Sequence, residues 1–189
     1  HVPVLLQEVL ETLRPQPGDF VADCTIGYGG HAAAFLERIG PTGRLIGLDV
    51  DGEQLEQTQQ RMRNSESAIR NSLFSLHRSH FAGLGKIMQT LELPGFDVIF
   101  ADLGVSSIQI DDPGRGFSYK HDGPLDMRMD DRLPRTAADW LASLSARELE
   151  VALRDLADEP DYDVLAKSVV LQRQQEPITR TSQLVDLIL

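Results

Sequence analysis

Three aspartates and a run of glycines hold most of the chemistry open to this chain. Gly27-Tyr28-Gly29-Gly30 reads as a tight turn. Glycine tolerates positive φ there and, lacking a Cβ, lets backbone N–H groups come close to a bound molecule. Asp23 precedes the turn, and Asp49 and Asp102 follow at a distance. The letters Gly27-x-Gly29-x-x-Ala32 satisfy the dinucleotide fingerprint as well as a methyl-donor loop, so the motif alone leaves two chemistries open. The carboxylates must separate them.

The elements that would position these residues follow from hydrophobic patterning. Val4, Leu5, Leu6, Val9, Leu10 and Leu13 recur near helical spacing until Pro15 and Pro17 end the segment. Phe20 to Asp23 reads as the end of a buried strand, and a helix from His31 follows with Phe35, Leu36 and Ile39 inward and Gly40 as its stop. A second strand from Arg44 to Leu48 ends at Asp49. Asp51, three residues before Gln54, makes a capping-box-like start to a helix with Leu55, Thr58 and Met62 on one face. Ser72 to His77 reads as a third strand. The run Phe81, Leu84, Ile87, Met88, Leu91 has helical period, weakened by Gly83 and Gly85 and broken by Pro94-Gly95. Phe96 to Ala101 is then a buried strand ending at Asp102. The alternation predicts βαβ units and a Rossmann-like α/β parallel sheet with right-handed crossovers.

After Asp102, Gly, Pro and Asp crowd residues 104–134 without a period, and a loop of that length is usually functional or disordered. Helices follow. Thr136 with Asp139 and Ser145 with Glu148 read as capping pairs, and Leu149, Leu153 and Leu156 form a stripe. A third helix holds Leu165 and Val169 and stops at Pro177; Thr181 opens a last one with Leu184, Leu187 and Ile188. The second half therefore reads as all-helical.

Asp23, Asp49 and Asp102 each fall at the carboxyl end of a predicted strand, the edge where open α/β sheets bind ligands. A pyrophosphate at that crevice meets like charge: at about 6 Å and an effective dielectric of about 20, each full pair costs on the order of 3 kcal/mol before screening. S-adenosylmethionine fits better, since it carries an ammonium and a sulfonium, has no phosphate, and offers ribose hydroxyls to a carboxylate. Each residue also has a plainer reading. Asp23 and Asp51 could cap the turn and helix that follow them. Asp49, about 20 residues after the glycines, sits where a ribose ligand is expected. His31, in the first turn of its helix, could cap it or line the pocket. Cys24 reads as a small core residue, because nothing near it in sequence is cationic enough to make a thiolate.

Bulk properties exclude several classes. The chain has 189 residues, 41% hydrophobic and 25% charged, ordinary for one globular domain with a subdomain. No apolar run approaches the roughly 20 residues that cross a bilayer. Without a leader-like segment and with one cysteine, the chain is expected to be soluble and to sit in a reducing cytoplasm. The five histidines show no zinc-type spacing, so no metal is expected. A formal charge of −11 argues against a surface that gathers nucleic acid non-specifically, so any RNA contact must be local. The chain opens on His1 without a Met, as a fragment would.

The run DLGVSSIQIDDPGRGFSYKHDGPLDMRMD, from Asp102 to Asp130, resembles the RsmH (MraW) family of S-adenosylmethionine-dependent methyltransferases, which act on N4 of a cytidine in small-subunit ribosomal RNA. The resemblance extends from His1-Val2-Pro3-Val4-Leu5-Leu6 through DCTIGYGGH at Asp23 to His31, LDVD at Leu48 to Asp51, and Pro177-Ile178-Thr179-Arg180-Thr181. It implies that Gly29, Gly30 and His31 form the donor-binding turn and that Asp49 holds the ribose. Phe81 would flank the adenine, and Asp102 and Gln109 would complete the pocket. It also implies a class I methyltransferase sheet over residues 1–110, here incomplete, with a helical insertion over 111–189; the family continues past this chain's last residue. Family members usually carry Gly-Glu-Glu where Ala157-Asp158-Glu159 stands, followed here by Pro160, which bears on how the next helix starts.

An exocyclic cytosine amine has its lone pair delocalised into the ring, so the enzyme must orient it toward the sulfonium methyl; Asp102 is expected to support the acceptor for its protons, by itself or through the Gly104 to Ser107 backbone. An unstacked base in single-stranded RNA or a small ribosomal particle would be held by Arg115, Phe117, Lys120 and Arg128. On the plainer reading Phe117 anchors the core and Arg115 pairs with Asp111 or Asp112. Two rivals remain: an NAD-dependent oxidoreductase, for which no proton-transfer residue stands out, and a non-catalytic interaction module with a vestigial nucleotide site.

Overall fold

The computed structural model describes residues 3–64 and 73–188. They divide into two compact units, with the boundary in the chain between Gly104 and Val105. The sequence boundary after residue 110 lies a few residues further on, because the short helix Ser107–Asp111 belongs with the second unit.

In the first unit, four parallel strands, β1 (Phe20–Asp23), β2 (Arg44–Asp49), β3 (Phe74–Arg78) and β4 (Val98–Phe100), pair in the order β3-β2-β1-β4. Strand β1 thus lies between β2 and β4, and the chain reverses its direction of travel across the sheet there. This is the switch point of a Rossmann-like sheet, where the carboxyl ends of neighbouring strands open a crevice. Helices α1 (Leu6–Leu13), α2 (Gly30–Ile39), α3 (Gly52–Arg63) and α4 (Leu84–Thr90) accompany the strands. Val21, Phe35, Ile39, Leu45 and Ile46 are fully buried at the heart of this unit.

Three boundaries differ from the sequence reading, the first being the fourth strand, which spans only Val98–Phe100 rather than Phe96 to Ala101 and leaves Ile99 58% exposed at the edge of the sheet. The third strand runs from Phe74 to Arg78, and Ser72 lies outside the described residues. The helical run at Phe81 begins as a single 3-10 turn, Phe81–Gly83, before α4, because the two glycines weaken its start.

The second unit holds α5 (Ser107–Asp111) and, around Leu125, Leu149, Ala166, Val169 and Ile178, the helices α6 (Ala137–Ser143), α7 (Ala146–Ala157), α8 (Tyr162–Gln175) and α9 (Thr181–Ile188). Thr136 with Asp139 and Ser145 with Glu148 form complete capping boxes. Helix α7 ends on Asp158 in the left-handed conformation (φ 50°), and α8 starts only at Tyr162. The Arg173 guanidinium donates to the Leu141 and Leu144 carbonyls (2.5 and 2.6 Å), closing the end of α6.

The aperiodic stretch after Asp102 is folded by backbone approach. A Cβ on Gly123 would lie 1.9 Å from the Pro113 carbonyl oxygen, and one on Gly116 (φ 70°) 2.4 Å from that of Pro124. Thr181 closes the arrangement: its N–H donates to the Gly123 carbonyl and its hydroxyl oxygen accepts the Gly123 N–H, both at 3.0 Å. Arg180 pairs with Asp122 and holds that carboxyl down at about 2.

Candidate functional site

The crevice at the end of β1 is built by threonines and carboxylates acting on backbone. Asp23 closes β1, is 1% exposed, and accepts the Thr25 N–H at 3.2 Å. The Thr25 hydroxyl oxygen in turn accepts the Asp102 N–H at 2.7 Å, tying the segment after β4 to the segment after β1. Asp49, at the end of β2, accepts the Gly27 N–H on Oδ2 (2.8 Å) and the Asp51 N–H on Oδ1 (3.0 Å). Asp51 caps α3 through the Glu53 and Gln54 N–H groups, its plainer reading. The three predicted rim acids are therefore brought together within the first unit, with Asp102 the exposed member.

Their electrostatics follow from burial. Burial pushes the Asp23 carboxyl up to about 7, the Thr25 N–H opposes the rise, and the charges of Asp49 and Asp102 add to it. Asp49 is also raised, by burial first, against the backbone N–H groups that it accepts. Burial and the Asp23 charge push the Cys24 thiol up, so this cysteine is core and not a nucleophile.

The glycine turn adopts the left-handed conformations that its letters predict, φ 44° at Gly27 and 74° at Gly29. Gly30, the first residue of α2, is needed for a different reason: a Cβ there would lie 2.4 Å from Cγ of Pro3. His31 has a structural employment, with Nε2 3.0 Å from the Val4 carbonyl oxygen and its ring stacked on Phe100 at 4.7 Å between centroids. Phe81 is 45% exposed, stacks on His80, and follows Ser79, whose N–H donates to the Asp49 carbonyl.

The remaining expected site residues belong to the second unit. Gln109 is buried and completes the capping box of α5, its Oε1 accepting the Ser106 N–H at 2.9 Å. Arg128 is committed to structure: it grips Asp126 through Nε and Nη2 (2.7 Å each) and donates from Nη1 to the Asp131 and Leu133 carbonyls. Arg115 donates to the Arg128 carbonyl at 3.0 Å and lies 5.7 Å from the centre of the half-buried Phe117 ring. Lys120 is exposed.

Sequence reasoning passed over four residues that shape these surfaces. Pro3 and Thr25 act through contacts that no local pattern encodes. Thr58 was visible only as an inward position on its helix, yet its hydroxyl donates to the Gly27 carbonyl at 2.5 Å. Trp140 is 46% exposed with the Arg135 guanidinium 4.8 Å from its ring centre, and a lone exposed tryptophan beside a cation was the signal available. Among the described residues no helix is long and apolar enough to cross a membrane, and no cluster of His, Cys, Asp or Glu could hold a metal ion.

Residues 1–189 match the MraW methylase family. Over 188 residues the chain is 42% identical to ribosomal RNA small subunit methyltransferase H of Xanthomonas axonopodis pv. citri, covering all of this chain and 52% of that protein. It is equally similar, at 42%, to the protein of that name from Symbiobacterium thermophilum, of which it covers 58%. A SAM dependent methyltransferase from Aquifex aeolicus is a distant structural likeness, at 16% identity and a TM-score of 0.39 over 79% of this chain and 77% of that one. The chain thus spans somewhat over half the length of these curated relatives, and across all of its own length it belongs to the MraW methylase family.

Proposed function

We propose that this chain carries the donor-binding part of an S-adenosylmethionine-dependent enzyme that methylates N4 of a cytidine in small-subunit ribosomal RNA. The observation that carries the reading is the carboxylate cluster at the switch point. Burial first, and then the charges of Asp49 and Asp102, push the Asp23 carboxyl up to about 7, so the crevice favours a cationic ligand over a pyrophosphate. Family membership supports the same conclusion. The donor-binding domain, expected over 1–110, would end at Gly104, and the helical subdomain would run on from Val105.

In this reading Gly29, Gly30 and His31 form the turn beneath the donor, Asp49 takes the ribose hydroxyls, Phe81 flanks the adenine, and Asp102 completes the pocket within the first unit. When bound, S-adenosylmethionine supplies an electrophilic methyl on a sulfonium. Asp102 accepts a hydrogen bond from the cytosine N4 amine and turns its lone pair toward that methyl. The surplus N4 proton would then leave to Asp102 or water. The Thr25 hydroxyl fixes the backbone at Asp102 and so sets where its carboxylate stands.

RNA would be held locally by Lys120, Arg115 and Phe117, with Arg128 bracing the loop that carries them. Trp140 with Arg135 offers a further stacking face and cation. The test is methyl transfer from labelled donor to small-subunit RNA, followed by digestion to nucleosides. Label in N4-methylcytidine supports the reading; donor binding with label only in another nucleoside overturns the substrate assignment.

A further inference from the structure

The glycine turn is gripped from behind by one helix. Thr58, with no exposed surface, donates its hydroxyl to the Gly27 carbonyl at 2.5 Å. The same oxygen accepts from Nη2 of Arg61 at 2.8 Å, and the Arg61 guanidinium lies over the Tyr28 ring, 3.2 Å from its centre. The Thr58 methyl fills the space beside Gly29, where an added Cβ would come within 2.8 Å of it. Two neighbouring side chains of α3 thus engage three consecutive turn positions: the carbonyl of 27, the ring of 28 and the open side of 29.

We propose that Thr58 and Arg61 are positioning residues for the donor, a buttress that fixes the peptide planes of the glycine turn so that affinity for S-adenosylmethionine depends on a hydroxyl the donor never touches. The inference rests on the turn being the donor site. A turn with two left-handed glycines has many alternative peptide orientations, since glycine pays little for any of them. Asp49 pins the Gly27 N–H and Thr58 pins the Gly27 carbonyl, so both ends of that residue are fixed and the Tyr28 N–H, in the same peptide plane as that carbonyl, keeps one direction, while the Gly29 N–H is held by the Ile26 carbonyl at 2.6 Å. Binding then spends nothing on ordering them, the usual source of affinity in a pre-organised site.

The hydroxyl and the methyl of Thr58 can be separated experimentally. Thr58→Val keeps the methyl contact with Gly29 and loses the bond to Gly27; Thr58→Ser does the reverse. Calorimetric titration with S-adenosylmethionine at pH 8, below the melting temperature of every variant, is expected to show Thr58→Ser within about twofold of wild type. Thr58→Val should bind about tenfold more weakly and Arg61→Met about threefold. Amide exchange at residues 27–30 of the ligand-free protein should quicken in Thr58→Val and not in Thr58→Ser, although both variants melt lower. Equal binding by wild type and Thr58→Val, or equal losses in Val and Ser, would overturn the buttress. Should Thr58→Val fail to fold, unchanged binding by Arg61→Met would overturn it. A wild-type chain that binds no S-adenosylmethionine overturns the donor reading itself and the affinity claim with it.

Discussion

Asp23 is the residue whose state the whole crevice sets. Its carboxyl ionises near 4 in the unfolded chain and near 7 in the folded one, so between those values the folded state holds the extra proton. Stability attributable to this group is therefore present at low pH and is lost as pH rises from about 4 to about 7. Asp23→Asn, measured by urea unfolding at pH 5 and pH 8, should flatten that part of the profile. Binding runs the other way: a cationic ligand favours the ionised form, so affinity for S-adenosylmethionine should rise as pH climbs toward 7 and level above it, with a proton released on binding below 7. The Asn variant should lose both the slope and the proton release. At Gly29, the left-handed φ and the closeness of the Thr58 methyl predict that Gly29→Ala destabilises by about 1–3 kcal/mol in urea unfolding.

Elements were legible where their signals are local. The capping pairs at Thr136 and Ser145 span three residues, the range over which a side chain meets its own backbone, and both are complete capping boxes. Ser145→Ala is expected to cost about 1 kcal/mol in thermal or urea unfolding. The strand ends at Asp23 and Asp49 were likewise readable, because an apolar run stopping at a carboxylate marks both the element and its edge. The stretch after Asp102 was not, because partners 58 and 60 residues away in α9 hold it. The same limit hid Thr58, whose bond to Gly27 spans 31 residues. His31, which the glycine motif draws into the pocket by proximity in sequence, is engaged by the Val4 carbonyl and the Phe100 ring. Gly123→Ala should be severely destabilising, since its Cβ would meet backbone rather than a side chain that can turn away. Amide exchange should show the loss in residues 113–126 and the start of α9.

At the scale of the molecule, the proposed RNA substrate would meet a chain with a formal charge of −11 through few contacts. Arg128 and Arg132 are paired to Asp126 and Asp130, so much of the positive charge on the second unit's loop is already neutralised. A shallow salt dependence of RNA affinity follows, with a log–log slope near −0.7 for each phosphate engaged. The single tryptophan reports on the surface directly. Stacking of a base on Trp140 should quench its fluorescence as single-stranded RNA is added.

What separates the donor reading from its rivals is the sign of the charge that the crevice accepts. Titration of this chain with S-adenosylmethionine and with NADH at pH 8 measures that preference most directly. The account predicts saturable binding of the sulfonium compound, weakened by Asp49→Asn, and none of the dinucleotide; tighter binding of NADH would contradict it.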